Sequence, residues 1–301
     1  MRQPSDGSDV AVLVIAYRRP SLVELQLDGL SIVRPRTLVV ACDLPPSGDR
    51  TDAQRIRAGF QDGVSWPCDI TFDVASEHLG LNRRVTSAID LVLELSDQAI
   101  ILEDDCVPHP HFFAFAARLL DRYRNDHRVR MIAGGRPLSA PRWGQASYYF
   151  SRYPFIWGWA TWADRWNEAC FDARSWTSAD EQLMRKHFAG DELDYWTRMT
   201  SKSVQGRGSW DYQWFHAMLE KDGLCAVPNM NLVTNVGFGE GATHTTDALD
   251  YGARSVPSTS MDRSMTHPLL VERHDASDRQ AFREVFLRER NATDQEPGLA
   301  C

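Results

Sequence analysis

Residues 99–108 read AIILEDDCVP, and this stretch decides the fold because a run of four apolar residues leads directly into three carboxylates. An apolar run of this length that stops at charged residues and Pro108 predicts a buried β-strand. Three adjacent carboxylates repel one another and resist burial, so they need a cation, hydrogen bonds or open water. Glu103, Asp104 and Asp105 are therefore a candidate divalent-cation site of the oxygen-ligand type, with an acidic loop after a core strand as the alternative.

Apolar runs upstream of this strand alternate with helical patterns. Residues 10–16 (VAVLVIA) and 37–42 (TLVVAC) predict strands buried on both faces, and residues 68–75 predict a third strand. Amphipathic helices are predicted between the strands, most clearly over residues 82–95. Strands that alternate with helices at this spacing indicate an α/β fold with a mostly parallel sheet, Rossmann-like, flanked by helices.

The carboxyl ends of the predicted strands carry the candidate binding residues. Ligands of parallel sheets bind at these ends, so the residues after the first strand, Asp43 after the second and the carboxylate triplet should share one rim. No GxGxxG follows the first strand, which argues against a dinucleotide fold of the usual kind. Arg18 as a solvated charge and Asp43 as the start of a turn are the simpler structural interpretations.

The chain becomes rich in aromatic residues beyond residue 135. Trp157, Trp159, Trp162 and Trp166 follow one another closely, and such a group is either core or a surface that stacks on sugar rings. Asp211 opens a predicted helix. The helix dipole favours an acid in the first turn, so a purely structural role is one interpretation of this residue. Residues 237–244 (GFGEGATH) predict a glycine-rich loop.

Composition restricts the classes of partner and location. A formal net charge of −8 argues against nucleic acid as a partner. No run of eighteen apolar residues occurs, and the first ten residues lack the order of a signal peptide, so we expect no transmembrane segment and a cytoplasmic protein, or one held peripherally at a membrane. The six cysteines show no CxxC pair and are expected to be reduced.

The order of these pieces resembles the nucleotide-sugar glycosyltransferases of the GT-A fold, in particular the branch around N-acetylglucosaminyltransferase I. The resemblance covers most of residues 10–245. Its specific segments are VLVIAYRRP (12–20), VVACD (39–43), ILEDD (101–105) as a form of the DxD motif, SWDYQW (209–214) and GATHT (241–245). The segment WGWATWADRW (157–166) is similar to bacterial, family 2-like members of the same superfamily.

The resemblance implies a role for each matching residue. Asp105 would ligate Mn²⁺ or Mg²⁺, which would bridge the two phosphates of the donor, and Asp211 would be the general base. The donor, with a UDP-sugar favoured, would contact residues that follow strand ends or open a helix or loop: Ala16, Tyr17, Arg18, Asp43, Asn82, Glu103, Asp104 and His244. Aromatic side chains, namely Trp157, Trp159 and Trp210, would line the acceptor site. Two features depart from the family: Tyr212, which follows Asp211, and the aromatic insert between Phe155 and Trp166.

The implied function is a metal-dependent inverting hexosyl- or N-acetylhexosaminyltransferase. Its acceptor would be a hydroxyl of a glycan, a lipid-linked glycan, a protein or a small molecule. We expect a loose N-terminus (1–9), one GT-A domain (10–250) with a nucleotide-binding half (10–135) and an acceptor and catalytic half (136–250), and a C-terminal extension (251–301). A nucleotidyltransferase that forms nucleotide sugars and a non-catalytic carbohydrate-binding module are the alternatives.

Overall fold

The central sheet has eight strands among the residues that the computed structural model describes, which are 7–136, 138, 142–237 and 265–287. The described residues form ten strands, eight in this sheet and two in a separate pair: β1 (Ala11–Ala16), β2 (Thr37–Cys42), β3 (Asp69–Val74), β4 (Gln98–Glu103), β5 (Cys106–Pro108), β6 (Val129–Ala133), β7 (Tyr148–Ser151), β8 (Trp159–Trp162), β9 (Leu224–Pro228) and β10 (Val233–Asn235). The order across the sheet is β3-β2-β1-β4-β8-β6-β9-β7, and β5 and β10 form a separate antiparallel pair. Only β8 and β7 run against the other strands of the eight-stranded sheet.

Helices cover both faces of this sheet. They are α1 (Val23–Val33), α2 (Thr51–Gly63), α3 (Gly80–Leu95), α4 (Pro110–Arg122), α5 (Ala163–Trp166), α6 (Ser178–His187), α7 (Gly190–Val204), α8 (Trp210–Glu220) and α9 (Asp275–Ala281). Buried residues of α1, α2 and α4 share one hydrophobic cluster, while those of α3, α7 and α8 share the other. Side chains of β1 alternate between the two clusters, which explains why this strand reads as a continuous apolar run.

The predicted α/β fold with a mostly parallel sheet flanked by helices is confirmed as a single domain. Residues of both predicted halves contribute strands to the same sheet. No helix among the described residues combines the length and the apolar character needed to cross a bilayer. The five cysteines that the structure describes are free thiols.

Two parts of the topology differ from the sequence-based expectation. The aromatic segment Trp159–Trp162 is a central strand, β8, which lies antiparallel between β4 and β6. All four residues of β8 are buried, because both of its faces are covered. The sequence therefore lacks the alternation of apolar and polar residues that marks a half-exposed strand. The sequence LCAVPNMNLVTNV (224–236) by itself predicts one strand, but the structure divides it into β9 and β10, which belong to different sheets.

The C-terminal strap, residues 265–287, covers the edge strand β7. His274 N donates to Phe150 O at 2.8 Å, which protects a strand edge that would otherwise expose unpaired backbone groups. Asp278 anchors the strap from α9: its carboxylate accepts from Ser151 Oγ at 2.6 Å and from Arg152 N at 3.2 Å. The Arg152 Nε atom also lies 3.6 Å from this carboxylate, and both side chains are buried.

Replacing the anchor should therefore be costly. We expect Asp278→Ala to lower the free energy of unfolding by about 3 kcal/mol, because Arg152 would remain buried without its carboxylate. Denaturant titration measures this loss. Asp275→Ala is the matched control, since Asp275 pairs with Arg273 at the surface and should cost less than about 1 kcal/mol. Equal losses in the two variants would mean that Asp278 does not anchor the strap.

Candidate active site

The carboxylate triplet lies at the carboxyl end of the central parallel strands. Glu103 is the last residue of β4 and pairs with Ile15 of β1, and Asp104 and Asp105 form the turn into β5. Asp104 N donates to Ile15 O at 2.9 Å, so the turn is held beside the end of β1. The predicted common rim is thus present, because β1, β2 and β4 run parallel.

Arg19 is the cationic side chain at this rim. Its Nη2 atom forms an ion pair with Asp104 and lies 3.0 Å from Asp105 Oδ2. Tyr17 N donates to the other oxygen of Asp104 at 2.9 Å. Asp104 is buried, and these contacts place its carboxylate against the loop that follows β1.

The sequence prediction did not include Arg19 at this rim, and the donor contact that it gives to Arg18 stays a prediction. Arg18 is exposed, has a φ of 58°, and its guanidinium carbon lies 5.8 Å from the centroid of the Tyr17 ring. The left-handed conformation at Arg18 redirects the chain, so that Arg19 and not Arg18 meets the carboxylates. The pair of arginines before Pro20 was the available signal, but sequence alone does not say which of two neighbours turns inward.

Among the described residues of this cluster, three carboxyl groups lie beside one paired guanidinium, that of Arg19. Burial, together with the charges of Asp105, Asp104 and Asp211, raises the pKa of Glu103 to about 8. Burial also raises the pKa of Asp104 to about 6, although Arg19 and the Tyr17 N–H oppose this shift. Because burial and mutual repulsion disfavour the charged forms of Glu103 and Asp104, a cation bound beside them would stabilise those forms.

The carboxylates at this rim fit a divalent cation to which the protein itself supplies only one or two ligands. Within the described ranges, no three His, Cys, Asp or Glu side chains are arranged as a ready metal site. The Asp105 side chain is 17% exposed, so it is partly open to solvent. Mg²⁺ and similar hard cations commonly use one or two carboxylates and take their remaining ligands from substrate phosphates and water. Asp105 suits this type of site, in which Arg19 would share the carboxylate with the cation.

Asp43 follows β2 and holds the beginning of α3. Its carboxylate accepts from Leu44 N at 2.8 Å and from the Leu79 and Gly80 backbone N–H groups at 2.9 Å each. His78 Nδ1 lies 3.3 Å from the same carboxylate. The buried Asp43 thus occupies the positive end of α3, and its predicted contact with the nucleotide stays a prediction. Ala16, at the end of β1, is also buried.

Asn82 connects α3 to the segment that carries Asp211. The Asn82 side chain donates from Nδ2 to Gly208 O at 2.6 Å and accepts at Oδ1 from Trp210 N at 2.8 Å. These bonds fix the start of α8, and Asp211 is a partly exposed residue of its first turn. Asp211 lies close enough to contribute to the raised pKa of Glu103. The predicted general base therefore lies within electrostatic range of Glu103, one member of the carboxylate triplet.

We expect Asn82→Ala to lower the turnover number about 10- to 100-fold, because the start of α8 and the Asp211 carboxylate would lose their support. The donor dissociation constant should change by less than about threefold. Steady-state kinetics and direct donor titration separate the two effects. Thr86→Ala is the control, since Thr86 Oγ1 donates to the backbone of α3 itself, to Asn82 O at 2.9 Å and to Arg83 O at 3.4 Å. A weakened donor affinity with normal turnover would instead assign Asn82 to the donor, as the sequence resemblance implies.

Two of the three predicted acceptor-binding rings are inside the core. Trp159 and Trp210 are 1% and 2% exposed, and their rings stack with centroids 5.9 Å apart. Trp214 packs against the same group, 6.0 Å from Trp159. Buried ring faces are not available to a sugar, so a direct acceptor contact is left to Trp157, which is partly exposed. Trp159 and Trp210 support the segments that carry the site.

His244 and the GATHT segment lie outside the described residues, and the predicted contact of His244 with the donor stays a prediction. Gly237 is the last described residue before that segment. A Cβ at Gly237 would lie 2.8 Å from Asp105 Cγ, closer than side-chain atoms normally approach. The backbone therefore reaches Asp105 here only because residue 237 has no side chain.

Comparisons with known proteins leave the family of this chain open. No family model and no curated protein matches it. Similar solved structures include a UDP-glucose pyrophosphorylase complexed with UDP-glucose, with 9% identity, a TM-score of 0.32 and coverage of 53% of this chain and 78% of that chain. A 4-diphosphocytidyl-2C-methyl-D-erythritol synthase from Anaerococcus prevotii DSM 20548 gives 10% identity, a TM-score of 0.29 and coverage of 62% and 81%. Likeness at this level assigns neither a family nor a reaction.

Proposed function

We propose that this protein is a metal-dependent inverting glycosyltransferase, which transfers a hexosyl or N-acetylhexosaminyl group from a nucleoside-diphosphate sugar to a hydroxyl acceptor. The observation that carries the proposal is that Asp211, in the first turn of α8, which Asn82 ties to α3, lies within electrostatic range of Glu103 in the carboxylate triplet. A single base facing a cation-binding cluster is the arrangement that a single displacement at a sugar carbon needs.

Each side of the rim would serve one end of the reacting bond. Arg19 and the Tyr17 N–H hold Asp104, and Asp105 beside them is suited to a divalent cation next to the donor diphosphate. When bound, Mn²⁺ or Mg²⁺ would stabilise the negative charge that develops on the leaving diphosphate. Asp211, half-buried in the first turn of α8, would accept the proton of the acceptor hydroxyl.

The atoms of this displacement balance. The bond between the sugar carbon and the diphosphate oxygen breaks, and its electron pair leaves with the diphosphate. A bond forms between the same carbon and the acceptor oxygen, whose proton passes to the Asp211 carboxylate. Attack from the side opposite the leaving group inverts the configuration at the sugar carbon, which proton NMR of the product would report.

A panel of UDP-, GDP-, dTDP- and CMP-sugars, each with Mn²⁺ and with a chelator, tests the proposal by thermal unfolding. A donor at a hundred times its dissociation constant stabilises the folded state by about 2.7 kcal/mol. We expect a metal-dependent shift with one class, UDP-sugars first. No shift with any member would contradict the proposal.

A nucleotidyltransferase would use the same rim differently, and a product assay separates the two. The glycosyltransferase should release nucleoside diphosphate from the donor when an acceptor is supplied. Release of pyrophosphate from nucleoside triphosphate and sugar phosphate would establish the alternative reaction. A sugar-binding module built on the tryptophans is disfavoured, because Trp159, Trp210 and Trp214 are buried in the core.

A further inference from the structure

Gln26 is a fully buried polar residue of α1 that contacts the backbone of the carboxylate turn. Its Nε2 atom donates to Cys106 O at 2.9 Å, to Asp104 O at 3.1 Å and to Glu103 O at 3.2 Å. All three partners can only accept hydrogen bonds, so the amide nitrogen and not the amide oxygen must face them. A side chain from the helix after β1 thus holds the turn after β4.

The whole donor capacity of this amide is used by the turn. A carboxamide nitrogen carries two hydrogens, and three carbonyl groups share them. The Gln26 Oε1 atom, in contrast, is buried with no hydrogen-bond partner in the described part of the chain. A leucine at this position would remove that unpaired oxygen, but it would leave three carbonyl groups of the turn without their donor. The contacts of Gln26 therefore serve the turn and not α1.

The turn is held at other points by backbone contacts. Asp104 N donates to Ile15 O at 2.9 Å, and Val236 N donates to Asp105 O at 2.8 Å. These bonds fix the turn from the side of β1 and from the side of β10, and Gln26 fixes it from the side of α1. The carbonyl groups meet Gln26, while the Asp104 carboxylate meets Tyr17 N and Arg19. The position of the backbone therefore determines the position of the carboxylates.

We propose that Gln26 is a positioning residue, which fixes the backbone of the carboxylate turn and thereby holds Asp104 and Asp105 in the geometry that binds a cation and the donor diphosphate. The effect on the cation and the donor rests on the proposed function. The effect on the turn does not rest on it, because it follows from contacts within the protein.

Gln26→Leu tests the positioning role through amide hydrogen exchange, which needs no ligand. The Tyr17 N–H reports directly on the Asp104 carboxylate that accepts it, and the Val236 N–H reports on Asp105 O. We expect both amides to exchange at least about tenfold faster in the variant, relative to amides of β2 and β9. The control is Val33→Ala, a cavity-forming change in the same helix about two turns away, which should show no selective acceleration.

Titration with Mn²⁺ followed by a UDP-sugar supplies the second readout. Gln26→Leu should weaken Mn²⁺ binding about tenfold and raise the donor KM by a similar factor, with a smaller change in kcat, because Asp211 keeps its own support from Asn82. Val33→Ala should leave these constants within about twofold of wild type.

The outcomes distinguish this inference from the proposed function. Wild-type exchange at the Tyr17 and Val236 amides of Gln26→Leu, or acceleration spread evenly over the chain, would overturn the positioning role. Selective acceleration with unchanged Mn²⁺ affinity would overturn the link from the turn to the cation. If the wild-type protein bound neither Mn²⁺ nor any donor, the proposed function would fail, whereas the exchange result would still decide the role of Gln26.

Discussion

Asp211→Asn is expected to lower the rate of sugar transfer by about 10²- to 10⁴-fold, the contribution that a positioned general base typically makes. The amide cannot accept the proton of the acceptor hydroxyl, although it has nearly the shape of the carboxylate. Donor affinity should stay within about threefold of wild type, because the diphosphate would bind beside Arg19 and Asp105 and not at Asp211. Product formation under saturating donor and calorimetric donor titration measure the two quantities.

Asp191→Asn provides the matched control for this variant. Asp191 is also an acid in the first turn of a helix, α7, and it is exposed. Both substitutions remove a favourable interaction with a helix dipole, worth about 0.3–1 kcal/mol of stability. If Asp211 only stabilises α8, the two variants will lose similar stability and both will keep their turnover. Near-normal transfer by Asp211→Asn would thus exclude it as the base.

The parallel core of the sheet could be predicted because its strands are buried on both faces. Residues 10–16 and 37–42 are continuous apolar runs that occur as β1 and β2, and their shared direction brings Asp43 and Glu103 to one rim. The rim could therefore be predicted from the apolar runs, which identify the strands, and from the rule that parallel strands end at the same edge of a sheet. No long-range contact had to be known in advance.

The central position of β8 could not be predicted by the same reasoning. Its four residues include two tryptophans, and a short aromatic segment has no period that separates core from binding surface. The stacking of Trp159 on Trp210 joins segments 51 residues apart in the sequence, and this pairing decides that both rings are core. Aromatic composition alone is equally compatible with a sugar platform.

Roles that depend on distant partners were also beyond the sequence. The Asn82 amide finds its partners 126 and 128 residues away, and the Gln26 amide finds its partners 77 to 80 residues away. The local sequence around Asn82 and Gln26 does not indicate these long-range hydrogen bonds, because an amide side chain on a helix is ordinarily a solvated polar group. Which of Arg18 and Arg19 contacts the carboxylates was equally hidden from the sequence, because it depends on the φ angle of Arg18.

Asp105→Asn is expected to abolish the metal-dependent part of donor affinity, which we place at about 30- to 1000-fold, or about 2–4 kcal/mol. The amide oxygen is a weaker ligand than a carboxylate for a hard cation, and the substitution removes one of the charges that attract it. Asp126→Asn is the control, because Asp126 also pairs with an arginine, Arg128, but does so away from the rim. Donor titrations with Mn²⁺ and with a chelator should converge for Asp105→Asn and stay apart for Asp126→Asn.

Stability in the chelator separates a ligand role for Asp105 from a structural one. The Asp105 carboxylate gains from its contact with Arg19, but it loses through repulsion by Glu103 and Asp104, so removing its charge should change the free energy of unfolding by less than about 1 kcal/mol. A large loss of stability together with lost donor affinity would mean that Asp105 organises the rim through Arg19. A full metal effect on donor binding in Asp105→Asn would remove Asp105 from the cation site, and the charge of the cluster would then have to be balanced through Glu103 or Asp104.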